Sequence, residues 1–199
     1  LTFNTAHALA SKGHKVLALD MDPQANLSLL FNETRERPHH IFHLLVNSIR
    51  ELKSLHSCVL TTEVLEHNSK VDLLPAGSGL SAFDLTVAGI NAPRQLILKK
   101  FLEKSGLLED YDYIVIDGPP TLGLLVVNIL CASDGVLVPF IPDKFSRKGL
   151  NQFHEAIWDI EDMQLVQTPK VLGYIPNLVD QRRKQVEMDF QLIQNDLGE

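Results

Sequence analysis

Cysteine is scarce: the 199 residues contain two, Cys58 and Cys131, far apart and without a metal-ligand spacing. That excludes a disulfide framework and a zinc ribbon, and a reducing cytosol is the simplest compartment. Long apolar runs are also absent. No stretch approaches the roughly 20 residues of a membrane span. The opening LTFNTAHALASKG reads as a helix with His and Lys, not as a secretion signal. Positive charge is in deficit, 18 Lys and Arg against 25 Asp and Glu, for a net charge of −7 with His neutral. The acidity argues against bulk electrostatic adhesion to nucleic acid, so any basic contact must be local. There is no internal repeat and no low-complexity tract. What remains is ordinary globular composition, 45% hydrophobic and 22% charged, which excludes a disordered tail, a collagen and a coiled-coil rod. The length suits a single domain spanning 1–199, with a real core.

The dominant pattern is short apolar runs alternating with helical stretches. Strands are expected at Lys15–Asp20, Val71–Ala76, Tyr111–Gly118, Asp134–Ile141 and Lys170–Pro176. Several are nearly continuous Val, Ile and Leu, as suits strands buried on both faces of a parallel sheet. Helices are expected at Thr2–Lys12, Ile41–Lys53, Leu80–Gly89, Pro93–Lys104, Leu122–Ala132, Ser146–Met163 and Arg183–Asp196. Gly13 follows the first helix at a C-cap position, and Pro93 opens its helix where proline is tolerated. This order implies an α/β fold with a doubly wound, mostly parallel sheet flanked by helices. NETRERPHH (32–40) reads as a solvated loop. Phe153 and Trp158 fall on an apolar helix face and are expected in the core. The eight His show no ligand pattern.

In open α/β sheets, ligands bind beyond the carboxyl ends of the strands. Here the first strand runs into Asp20-Met21-Asp22-Pro23-Gln24-Ala25-Asn26, and the third into Asp117-Gly118-Pro119-Pro120-Thr121-Leu122-Gly123. Two acidic strand ends can aim carboxylates at one crevice, to hold a magnesium hydration shell and orient an attacking water. Asp20 and Asp22, two apart on extended chain, share a face. Each alone is also an ordinary helix cap or turn former.

The segments KVLALDMDPQANLSLLF, VDLLPAGSGLSAFDL, YDYIVIDGPPTLGLLVVNIL, ASDGVLVPFIPDKFSRKGL and GYIPNLVDQR occur in an order and spacing that resemble the ParA/Soj family of deviant P-loop ATPases, relatives of MinD. The D-x-D-P-Q-x-N and D-x-P-P-x-L-G strings together carry the resemblance. One departure is large. The family opens with a strand and a Gly-rich P-loop, K-G-G-x-G-K-T-T, and neither occurs in these residues. A P-loop cradles phosphates with backbone N–H groups and a Lys. The expectation is therefore a chain incomplete at its N-terminus and at its C-terminus. By itself it should be inactive towards ATP, and unstable, since the family's first strand lies centrally in the sheet. Thr2 and Thr5 fall past the loop and read as ordinary helix residues.

The resemblance implies roles by position. Asp22 matches the switch I Asp that positions the attacking water, and Asp20 the preceding strand-end Asp near the magnesium shell. Pro23, Gln24 and Asn26 complete that string beside the nucleotide. Asp117 matches the Walker B Asp that holds magnesium through water. Pro119 and Pro120 follow it into switch II, or form a stiff loop, and Gly123 supplies a flexible point. Asn177 would read the adenine edge, or is a turn former. Arg182 matches the D-x-R arginine that some members use for nonspecific DNA contact, and Arg183 and Lys184 extend it to a basic run, or the three are a solvated helix start. The implied function is an ATP hydrolase using ATP and Mg2+. It dimerises on ATP, binds nonspecific DNA as a homodimer, and segregates plasmid, chromosome or other cargo with a ParB-like activator. The implied location is cytoplasmic and nucleoid-associated, with no membrane partner. Alternatives are a MinD-like membrane-surface regulator, which needs an amphipathic terminal helix, a catalytically dead binding protein, and a metabolic relative such as an amide-forming ligase. An iron–sulfur relative would need paired cluster Cys, and Cys131 stands alone.

Overall fold

In the computed structural model, residues 1–33, 40–53, 65–66, 71–179 and 184–197 are described. They fall into two compact units, Leu1–Ala132 and Ser133–Glu199. The elements of the first unit are α1 (Thr2–Ser11), β1 (Val16–Asp20), α2 (Asn26–Leu30), α3 (Ile41–Lys53), β2 (Leu65–Glu66), β3 (Val71–Leu74), α4 (Phe83–Val87), α5 (Ile97–Ser105), α6 (Leu107–Asp110), β4 (Tyr113–Asp117) and α7 (Leu124–Ala132). The sheet has the order β2-β3-β1-β4. β1 pairs in parallel with β3 on one side and β4 on the other, while β2 pairs antiparallel with β3.

β1 is buried along its whole length, and its alternation sorts the core into two layers. Val16 and Ala18 face Ala6 and Ala10 of α1, with Leu27 and Phe31 beside them. The two alanines are four apart, one helical turn, and their small side chains let α1 lie close to the strand. Leu17 and Leu19 face the opposite layer, built from Ile41, Leu44, Leu45 and Ile49 of α3 and Ile97, Leu98, Phe101 and Leu102 of α5. A strand covered on both faces needs no polar alternation, hence the unbroken apolar run.

The second unit holds β5 (Gly135–Phe140), α8 (Lys144–Met163), β6 (Lys170–Pro176) and α9 (Lys184–Leu197). β5 and β6 pair in parallel, with an irregularity between Val136 and Leu137. Its core cluster is Phe140, Leu150 and Ile193, with Val138, Tyr174 and Phe190 packed against it. Asp143 caps α8, its carboxylate accepting the amides of Phe145 (2.9 Å) and Ser146 (2.7 Å).

The five expected strands are present, and the structure adds β2, α2 and α6. Gly13 has φ +96°, as a C-terminal cap requires. The helix expected over Leu80–Gly89 is a 3-10 turn, Ser78–Ala82, running into α4. The helix expected from Pro93 opens with a 3-10 turn, Arg94–Leu96, and becomes α-helical at Ile97. Trp158 corrects its expectation: it is 64% exposed. The buried stripe of α8 runs through Leu150, Ile157 and Ile160. One residue past Ile157, Trp158 is rotated about 100° off that stripe. Phe153 is half-buried. No helix among the described residues is long and apolar enough to cross a membrane.

Candidate functional site

Parallel register brings the two strand-end carboxylates together. Asp20 is the direct partner of Asp117 across β1 and β4, and the Met21 amide donates to the Asp117 carbonyl at 2.8 Å. Both stand at the carboxyl edge of the sheet, where the loops after β1 and β4 leave it.

The D-P-Q-A segment forms a tight turn. The Ala25 amide donates to the Asp22 carbonyl at 2.9 Å, and the Gln24 amide to Asp22 Oδ1 at 2.9 Å. The local sequence dictates this. Asp favours the first turn position, Pro presets φ at the second, and an Asp side chain satisfies an amide two residues on. Ala25 then takes a left-handed φ of +54° and α2 begins at Asn26. Asn26 and Gln24 are exposed, Pro23 half-buried and Asp22 buried.

Asp20 is fully buried, and its carboxylate is occupied by donors of its own chain. Oδ1 accepts the Asp22 amide at 3.1 Å; Oδ2 accepts the Ser28 amide at 2.8 Å and the Ser28 hydroxyl at 2.7 Å. Burial pushes the Asp20 carboxyl above its ordinary range. The donors from Ser28 and Asp22 pull it back, and the charge of Asp117 adds to the rise. Asp117 is less enclosed. Its Oδ1 accepts the Thr2 hydroxyl from the first turn of α1. Thr2 thus touches the site, which corrects its reading as an ordinary helix residue. Across a parallel sheet, a helix N-terminus 115 residues away in sequence can reach a strand end, and no local pattern announces that. Ser28 is the other residue that the sequence reading passed over.

Pro119 is half-buried and Pro120 exposed in the loop after β4, which ends where the Gly123 carbonyl accepts the Val127 amide of α7 at 3.1 Å. In the second unit, Asn177 follows β6. Its amide donates to the Phe140 carbonyl at 2.8 Å, and its side-chain oxygen accepts the Leu178 amide at 3.0 Å. Arg182 and Arg183 lie outside the described residues, and Lys184 opens α9. Cys58 and His39 also lie outside them. Cys131 is buried in α7, and burial pushes its thiol up.

Among the described residues no group of three or more His, Cys, Asp and Glu could hold a metal by itself. Two adjacent carboxylates still fit magnesium, which keeps most of its waters and takes one or two carboxylates. Phosphate is less well served: the 199 residues contain no G-x-x-x-x-G-K-[ST] run.

Residues 1–168 match the family model described as AAA domain. Over 188 residues the chain is 31% identical to an uncharacterised protein of Methanocaldococcus jannaschii, covering 92% of this chain and 69% of that one. Over 155 residues it is 32% identical to the chromosome partitioning protein ParA of Caulobacter vibrioides, covering 77% of this chain and 55% of ParA. The crystal structure of cobyrinic acid a,c-diamide synthase from Mycobacterium smegmatis, with bound ADP and magnesium, matches with a TM-score of 0.79 at 26% identity. That match covers 98% of this chain and 76% of the synthase. The chain thus spans only part of each relative, little more than half in the case of ParA.

Proposed function

We propose, from the premise that this chain belongs to the ParA/MinD family of P-loop ATPases, that it carries the switch residues of an enzyme converting ATP and water to ADP and phosphate. The observation that carries this reading is the pairing of Asp20 with Asp117 at the carboxyl edge of a parallel sheet, with Asp22 in a fixed turn beside it. Magnesium, when bound, would neutralise developing charge on the phosphates. Asp117 would hold it through water, since among the described residues Thr2 alone engages its carboxylate. We assign that place to Asp117 ahead of Asp20, whose oxygens already take three donors. Asp22 would orient the attacking water. Pro23, Gln24, Asn26, Pro119 and Pro120 form the loops that ATP would order and hydrolysis release. Asn177 would meet the adenine.

At the level of the whole protein, ATP drives dimerisation, and the dimer binds nonspecific DNA through Arg182, Arg183 and Lys184. A ParB-like activator bound to cargo stimulates hydrolysis and resets the cycle, in a cytoplasmic, nucleoid-associated setting. Likeness to a chromosome partitioning protein supports this reading. A second reading, an ATP-dependent amide-forming ligase, draws support from the likeness to the diamide synthase. The two part on one observation: turnover without any amine acceptor, raised by DNA and the activator, belongs to the first alone.

The test uses the full-length protein. Asp22→Ala should retain ATP binding and lose phosphate release, with a fall of about 100-fold or more if it positions the nucleophile. Unchanged turnover would overturn the assignment. Arg182→Ala should weaken DNA binding uniformly across sequences and reduce the salt dependence by about one phosphate contact per subunit.

A further inference from the structure

Four hydrogen bonds converge on the pair Asp20 and Ser28. The carboxylate takes the amides of Asp22 and Ser28 and the Ser28 hydroxyl, and the hydroxyl oxygen takes the Ala76 amide at 3.1 Å. Ser28 is 2% exposed and sits in the middle of α2. The direction of the hydroxyl is determined. Ala76 N–H can only donate and an ionised Asp20 can only accept, so the single Ser28 proton points at Asp20 and its lone pair at Ala76. The relay therefore ties the loop after β3 to the end of β1. The same loop is anchored to α3, where the Ile41 amide donates to the Pro75 carbonyl at 3.2 Å.

We infer that Ser28 is a positioning residue for hydrolysis: its hydroxyl holds Asp20, and the Asp20 contact with the Asp22 amide holds the turn that aims Asp22. This rests on the ATP-hydrolase reading above and names a residue that reading does not use. Without the hydroxyl, the Ala76 amide loses its acceptor and Asp20 loses one of its donors. The Asp22 turn then hangs from a carboxylate held by the Ser28 amide alone. Substrate affinity should change little, because Ser28 is buried away from solvent. The chemical step should suffer, because a nucleophile-orienting group misplaced by a fraction of an ångström loses its alignment.

The experiment compares Ser28→Thr with Ser28→Val in the full-length protein. The two side chains have the same shape and differ only in the hydroxyl, so they crowd the site equally. Phosphate release, ATP affinity and amide exchange at Asp22 are measured for both, beside Asp22→Ala. The expected result is near-normal kcat for Thr, and a kcat about 10-fold or more lower for Val with ATP affinity within about twofold. Exchange at the Asp22 amide should also be faster in Val. If Thr and Val are equally impaired or equally unfolded, packing and not the hydroxyl governs the site, and the inference fails. Equal, normal turnover in both, with Asp22→Ala inactive, overturns the inference and leaves the ATPase reading standing. Normal turnover in Asp22→Ala overturns the reading itself.

Discussion

Asn128 sits in the middle of α7 with no solvent exposure, and its side-chain amide makes three hydrogen bonds. Its oxygen accepts the Leu98 amide at 3.1 Å, and its nitrogen donates to the carbonyls of Arg94 (3.0 Å) and Leu124 (2.9 Å). Leu98 lies in the first turn of α5, where amides lack partners within the helix. Asn128 thus stitches α7 to the start of α5. Asn128→Ala should cost about 1–3 kcal/mol in urea unfolding, mostly for the buried Leu98 amide left without an acceptor. Gly77 makes a different demand. Its backbone is extended, with φ −134°, so conformation does not require glycine. Space does, because a Cβ there would lie 2.1 Å from Nδ1 of His40. Gly77→Ala should lower stability by about 1–3 kcal/mol through overpacking, read as a shift in the urea midpoint at unchanged slope. None of this is legible locally. An Asn in an apolar helix and a Gly after a strand have many other uses.

Among the elements, α8 offers the cleanest test of local chemistry. Asp143 accepts two first-turn amides, and those bonds, that of Ser146 foremost, hold its carboxyl below the ordinary value of 3.8. A depressed carboxyl stabilises the folded state above its unfolded value, and that contribution fades as pH falls through the folded one. Asp143→Ala should therefore cost about 1 kcal/mol near neutrality. The gap from the parent should narrow as pH drops below about 4, measured by thermal unfolding across pH. Asp20 carries the opposite sign. Its carboxyl is raised, chiefly by burial, so its contribution weakens as pH climbs from 3.8 towards the raised value. The long elements were readable because period and caps agree over many residues. α2 was not. It has five residues, and its start is set by the left-handed Ala25 and by donors to Asp20, a tertiary partner.

For the molecule as a whole, core size sets an order of stability. In the first unit, β1 is enclosed by clusters on both faces, whereas the second unit centres on Phe140, Leu150 and Ile193. Local opening costs most where the backbone is buried on both sides. In native-state hydrogen exchange, the amides of Leu17, Ala18 and Leu19 should be the slowest, and those of β5 and β6 should exchange sooner. Equal protection in both units would contradict this. Trp158, on the exposed flank of α8, should show red-shifted, readily quenched fluorescence in the native protein.

Sequence by itself determined the class of the fold and the identity of the acidic strand ends. Buried strands must be apolar and helices must repeat at 3.6, so both periods are written along the chain. The D-P-Q turn is likewise local: Asp and Pro prescribe it before any packing occurs. Tertiary structure alone decided what those carboxylates do. Register placed Asp20 against Asp117, folding turned Asp20 inward onto Ser28, and Thr2 was brought to Asp117 from the far end of the unit. Burial and hydrogen-bond partners belong to the packed chain. Two aspartates that look alike in sequence therefore come to differ only once the sheet has formed, one enclosed by donors from Asp22 and Ser28 and the other meeting the Thr2 hydroxyl.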